Sequence, residues 1–157
     1  MTIIAYRDGI MACDSCHSTR DVVDTLMCKI HRLKSGALIG FAGDNDARDV
    51  VARLNAVKSP RQFPMRKEIH ELRIDSIGLL VFPNGRVFKF SSTSQLIEHE
   101  SDDVGVWEIA MPFAAVGSGE EVALGAMAAG ASARRAASIA CRYITTCRPP
   151  IHTRSLR

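Results

Sequence analysis

A chain of 157 residues is one domain's worth and long enough to bury a real core; 46% of it is apolar and 24% charged, as in an ordinary globular protein. A net charge of +3 with scattered basic residues and only 6% aromatics argues against nucleic acid as a partner. No stretch approaches the ~18 apolar residues of a membrane span, and no basic n-region precedes an apolar run, so the expected location is the cytoplasm, with the five cysteines reduced.

Thr2 to Ser15 read as two short strands around Asp8-Gly9, a pair suited to a tight hairpin. Residues 26–33 are expected as a third strand and 37–42 as a fourth, with Lys34-Ser35-Gly36 turning between them. Asp44 or Asn45 can cap a helix in which Ala47, Val50, Val51, Leu54 and Val57 recur at helical spacing. Residues 58–73, with Pro60 and Pro64, are an irregular connection. A hairpin follows from Ile74–Phe82 and Arg86–Phe90 around Pro83-Asn84-Gly85. The polar segment 91–112, which holds Trp107, carries no clear pattern, and Phe113–Val116 is the last expected strand.

Two helices complete the chain. One runs from Glu120 towards Gly130, a C-terminal cap; the other is capped by Ser132 and aligns Ala136, Ala137, Ala140 and Cys141. The chain after Tyr143 is expected to fray, so residues 144–157 form an irregular tail to a single domain over 1–157. Strands, helix, strands and two helices in that order argue for an α+β architecture with helices covering sheets.

The chemistry starts at the N-terminus. Thr2 after Met1 is small enough for the methionine to be trimmed, leaving a hydroxyl and a free α-amine on one residue. An α-amine titrates near ~8, so a fraction can accept the hydroxyl proton at neutral pH. A hydroxyl nucleophile also needs a cation to stabilise its deprotonated form. Lys29 on a neighbouring strand, tied down by Asp14, would meet that need; the plainer alternative is a cross-strand ion pair.

Thr2-Ile3-Ile4-Ala5-Tyr6, Cys13-Asp14-Ser15, Lys29-Ile30-His31-Arg32-Leu33, Gly40-Phe41-Ala42-Gly43 and Gly117-Ser118-Gly119 fall in the order of proteasome β-type subunits. Over roughly residues 2–57 and 113–143 the chain resembles the HslV-type N-terminal-threonine peptidases and their small relatives. The resemblance implies the four-layer αββα sandwich of N-terminal-nucleophile hydrolases, two antiparallel sheets between helical layers. It implies Thr2 as nucleophile, Lys29 as the cation beside it, and Asp14 as the partner that orients the lysine. Gly43 would offer a backbone N–H to the oxyanion, Ser118 would bond near the terminal amine, and Met27, Phe41 and Asn45 would line the specificity pocket. It further implies peptide or unfolded-protein substrates, no cofactor and no metal, a homo-oligomeric ring or related array, and an ATP-dependent unfoldase as a candidate partner. The chain departs from the family where Asp-x-x-Ser/Thr-Gly-Gly is usual. Here Ile144, Cys147, Arg148 and Pro149 replace the acid, the hydroxyl and the two glycines. That loss keeps open a catalytically inactive structural subunit, and an amidase acting on small amides is a further alternative.

Two rival constellations are weaker. Cys13-x-x-Cys16-His17 matches haem attachment, which requires export. Cys13, Cys16, Cys28 and His31 match a zinc count, but strand alternation sends Cys28 and His31 to opposite faces, leaving small buried thiols as the simpler reading. His31, His70, His99 and His152 fit no Ser/His/Asp order.

Overall fold

A computed structural model describes residues 2–19, 22–43, 47–61, 76–92 and 104–157. Strand alternation sorts its apolar residues into three clusters, and those clusters define the layers. β1 (Ile3–Arg7) and β2 (Ile10–Cys13) pair across Asp8 and Gly9, both at positive φ, the geometry of a two-residue hairpin turn. β10 (Phe113–Gly117) flanks β1 on its other side, and β11 (His152–Ser155) flanks β2, giving a four-stranded antiparallel sheet. β5 (Ile30–Arg32), β6 (Leu38–Gly43), β7 (Ser76–Val81), β8 (Val87–Ser92) and β9 (Val104–Ile109) form a second antiparallel sheet of five. β3 (Cys16–Thr19) and β4 (Val22–Leu26) form a separate two-stranded ribbon.

Ile4, Tyr6, Met11 and Cys13 of the first sheet meet Leu38, Leu79, Val81 and Val87 of the second in one buried cluster. The alternate residues Ile3, Ala5 and Ala12 face α2 (Glu120–Ala128) and α3 (Ala133–Tyr143) instead. On the far side Ile39, Phe41, Leu80, Phe82, Phe88 and Phe90 pack against Val50 and Leu54 of α1 (Ala47–Leu54). The order helix pair, sheet, sheet, helix is the αββα sandwich expected from the sequence. Gly40 lets the sheets approach: a Cβ there would stand 2.8 Å from Ile4 and 2.9 Å from Met11.

Small residues bring the helix pair down onto β1. Ala133, Ala136, Ala137 and Ala140 of α3 are all buried, at the spacing of one helical face. Ser132 caps α3 by accepting the Arg135 N–H, as anticipated. α2 closes in a Schellman turn at Gly130, with the Ala131 amide on the Ala126 carbonyl and the Gly130 amide on that of Met127.

Three expectations require correction. Strand 26–33 shrinks to Ile30–Arg32, because Leu26 belongs to β4 and residues 27–29 leave the ladder to place Lys29. Segment 91–112 contains a strand, β9, whose Glu108 forms a two-pronged bond with Arg86 at 2.6 Å. The chain after Tyr143 does not fray: β11 zips onto β2 with His152 opposite Cys13, and the Leu156 amide bonds the Gly9 carbonyl. Among the described residues no helix is long and apolar enough to cross a membrane.

Phe88 tests the α1 side of the core. It is 2% exposed and edge-on to Phe82 at 5.8 Å. Phe88→Ala should cost about 3–5 kcal/mol, read as a lower urea midpoint with an unchanged slope.

Candidate active site

The hairpin and its neighbours bring three polar side chains into the core together. Thr2 leads into β1, Asp14 follows β2, and Lys29 sits just before β5. Their exposures are 1%, 0% and 9%, values that unpaired charges could not sustain. The Lys29 Nζ donates to Asp14 Oδ1 at 2.8 Å and also to the Thr2 hydroxyl, and that hydroxyl is itself bonded to Asp14 Oδ1. All three predicted groups therefore share one contact point.

Backbone amides hold the carboxylate in place. The Ile3 N–H donates to Oδ1 at 3.0 Å, and the Cys16 and Arg148 N–H groups donate to Oδ2 at 3.1 and 3.2 Å. The Asp14 amide returns a bond to the Ile3 carbonyl, which ties the carboxylate's own backbone to the strand that Thr2 leads into. Ser15, fully buried, bonds the Arg148 carbonyl through its amide and the Pro150 carbonyl through its hydroxyl. Among the described residues no buried side-chain polar atom lacks a partner.

Sequence reasoning missed Ser15, Arg148 and Pro150. Its argument there concerned side chains lost from the family pattern, whereas the contributions are backbone groups of Arg148 and Pro150. The one available signal was Ser15, a small polar residue directly after Asp14.

Gly117 and Ser118 shape the other wall. The Ser118 hydroxyl donates to the Thr2 carbonyl at 3.3 Å and shares a 2.8 Å bond with Thr146 Oγ1. Cys147, where a hydroxyl is usual, lies 3.7 Å from Ser118 Oγ, and burial raises its thiol pKa. Cys141, Arg142, Ile144, Thr145, Cys147 and Arg148 line a cavity of about 340 Å³ beside this turn. Two of them, Cys147 and Arg148, also touch site residues.

The remaining predicted residues are more scattered. Gly43 is the exposed last residue of β6. Met27 is 36% exposed, two residues before Lys29. Phe41 packs in the core beneath α1, 6% exposed, and stacks on His31 at 5.8 Å. Asn45 lies outside the described residues.

No protein-family model and no curated protein matches the sequence. Solved structures do. Thiobacillus denitrificans BPH in complex with epoxomicin is 19% identical with a TM-score of 0.70, covering 99% of this chain and 98% of that one. Another structure of Thiobacillus denitrificans BPH is 18% identical with a TM-score of 0.69 over the same shares. HslV from Trypanosoma brucei is 18% identical with a TM-score of 0.62, covering 98% and 97%. At such identities the likeness establishes the fold, and it does so end to end: this chain has the fold shared by BPH and HslV.

Proposed function

We propose that the chain is a threonine-type endopeptidase subunit that hydrolyses peptide bonds through Thr2 after removal of Met1. The observation that carries this reading is the Lys29 ammonium bonded at once to the Thr2 hydroxyl and to Asp14. A plain ion pair needs no hydroxyl at its centre, and a buried pair is a poor device for stability alone.

With Met1 gone, the α-amine of Thr2 takes the hydroxyl proton while Lys29 stabilises the oxygen as it attacks the substrate carbonyl. A backbone N–H of Gly43 would hold the oxyanion, a donor worth about 3–4 kcal/mol of barrier. Collapse breaks the C–N bond, the leaving amine carries off the proton, and an ester remains on Thr2. Water then attacks that ester, the acyl C–O bond breaks, and the acyl part leaves as a carboxylic acid while a proton from the water restores the threonine hydroxyl. Asp14 holds the lysine's ammonium in place, and Ser118 fixes the Thr2 carbonyl. No step calls on a metal or an organic cofactor.

Self-assembly into a ring or related array would enclose such sites, and an ATP-driven unfoldase could feed them. Both extend the family likeness. A second reading, a non-catalytic subunit, is favoured by Ile144, Cys147 and Pro149 at positions where the family supports the terminal amine. Epoxomicin, present in the BPH complex, separates the two readings. The active reading expects a purified chain lacking one methionine and an epoxomicin adduct on the Thr2 peptide. Thr2→Ala should abolish the adduct, with peptide hydrolysis falling by at least about 1,000-fold. A chain that keeps Met1 and takes no adduct supports the inert subunit. Hydrolysis of small amides but not peptides supports the amidase.

A further inference from the structure

The peptide unit between Thr2 and Ile3 is bonded at both ends. Its N–H donates to Asp14 Oδ1 at 3.0 Å, and its carbonyl accepts from the Ser118 hydroxyl at 3.3 Å and the Gly119 amide at 3.5 Å. Asp14 and Gly119 are buried, whereas Ser118 is exposed. A serine hydroxyl rotates to suit its surroundings, so one that faces water is easily drawn away from a long bond. Whatever holds Ser118 in line therefore bears on Thr2.

Two side chains reach the Ser118 oxygen. Cys147 Sγ lies 3.7 Å away, and a thiol is a weak donor. Thr146 Oγ1 lies 2.8 Å away, the ordinary length of a bond between hydroxyls. A serine hydroxyl carries one proton. With that proton on the Thr2 carbonyl, the serine oxygen is an acceptor and Thr146 is its donor. The bonds then run from Thr146 to Ser118 to Thr2, each polarising the next.

Thr146 is itself anchored on both sides. It sits in the turn from Ile144 to Cys147, closed by the Cys147 amide on the Ile144 carbonyl at 3.0 Å. Before the turn, the Ile144 amide bonds the Ala140 carbonyl of α3 at 2.8 Å. After it, the Arg148 amide bonds Asp14 Oδ2 at 3.2 Å. The turn is thus tied to the helix packed on β1 and to the carboxylate that bonds the Thr2 hydroxyl.

We propose that Thr146 is a positioning residue for Thr2. Its hydroxyl sets Ser118, Ser118 sets the Thr2 carbonyl, and the carbonyl fixes the residue that carries both the nucleophile and its amine. A hydroxyl one residue before Cys147 gives Thr2 a support that the side chains of Ile144 and Cys147 do not. The effect on rate rests on the peptidase reading; the hold on the Thr2–Ile3 peptide does not.

The test compares Thr146→Val, which keeps the shape and loses the hydroxyl, with Thr146→Ser, which keeps the hydroxyl. Thr146→Val should lower kcat for a fluorogenic peptide by about three- to tenfold, the worth of one hydrogen bond read as a rate, with KM unchanged. Thr146→Ala should repeat the loss, and Thr146→Ser should recover most of it. In a Ser118→Ala background Thr146→Val should cost nothing further, because the two residues act in series. Thr145→Val, at the exposed neighbour in the same turn, is the control and should match the wild type. Amide hydrogen exchange at Ile3 gives a second readout: it should quicken by about threefold or more in Thr146→Val and return in Thr146→Ser. Wild-type rates in Thr146→Val, an equal loss in Thr146→Ser, or losses that multiply with Ser118→Ala overturn the proposal. A wild-type chain that neither hydrolyses peptides nor takes epoxomicin overturns the peptidase reading instead. Exchange at Ile3 then decides alone: quickened in Thr146→Val and restored in Thr146→Ser, it upholds the positioning role, and unchanged, it ends it.

Discussion

Lys29→Met is expected to cut peptide hydrolysis by at least about 1,000-fold, because it removes the only side-chain cation within bonding distance of the Thr2 hydroxyl among the described contacts. The same substitution has a structural cost, and the two must be separated. Removing one partner of a buried ion pair costs about 3–5 kcal/mol. Here the lower end applies, since three backbone amides still donate to Asp14. A second substitution, Asp14→Asn, removes the stranded charge. Lys29→Met with Asp14→Asn should therefore recover much of the lost stability, read by thermal melting, without recovering activity. If the Asp14–Lys29 contact were only a cross-strand ion pair, activity would track stability across all three variants. Peptide hydrolysis returning with the double change would remove Lys29 from the mechanism.

Much of this geometry was legible because local chemistry and global fold agree. Asp8-Gly9 announces its turn, and the alternation of Ile3, Ile4, Ala5 and Tyr6 assigns each residue to one side of the sheet. The pairing of Asp14 with Lys29 came from the order of short motifs rather than from periodicity. The same alternation puts Phe41 on the face of Ile39, in the core beneath α1.

What stayed hidden lacks a side-chain signature. Cys16 to Thr19 has no apolar alternation and becomes a strand through pairing with β4, in a register that shifts at His17 and Ser18. β11, read as His-Thr-Arg-Ser, is a mostly exposed edge strand, and such strands need no apolar face. Its value lies in position: it follows the Arg148–Pro150 segment whose backbone bonds Asp14 and Ser15. The family pattern marks this stretch as degraded by its side chains, yet its main chain still supports the carboxylate.

Gly117→Ala should affect the site as strongly as a change in the site itself. Gly117 stands opposite Ile3 with φ at +103°, where an L side chain is strained, and a Cβ there would lie 2.2 Å from the Thr2 carbonyl oxygen. The obstructing atoms are backbone, so no rotamer change relieves them; the ends of β1 and β10 must part. Strain at that φ and overpacking each contribute about 1–3 kcal/mol, a loss a domain of ordinary stability survives. The displaced atom is the carbonyl of Thr2, which also accepts from Ser118 and from the Gly119 amide. A shift near 1 Å in a reacting group can cost about 100-fold, so epoxomicin labelling should slow by roughly that factor in a protein that still folds. Gly85→Ala supplies the control: its φ of +84° carries similar strain, but a Cβ there meets nothing within 4 Å. It should lose stability and label at the normal rate. Equal labelling by the two variants would mean that the position of Thr2 does not govern its reactivity, and the nucleophile would have to be sought elsewhere.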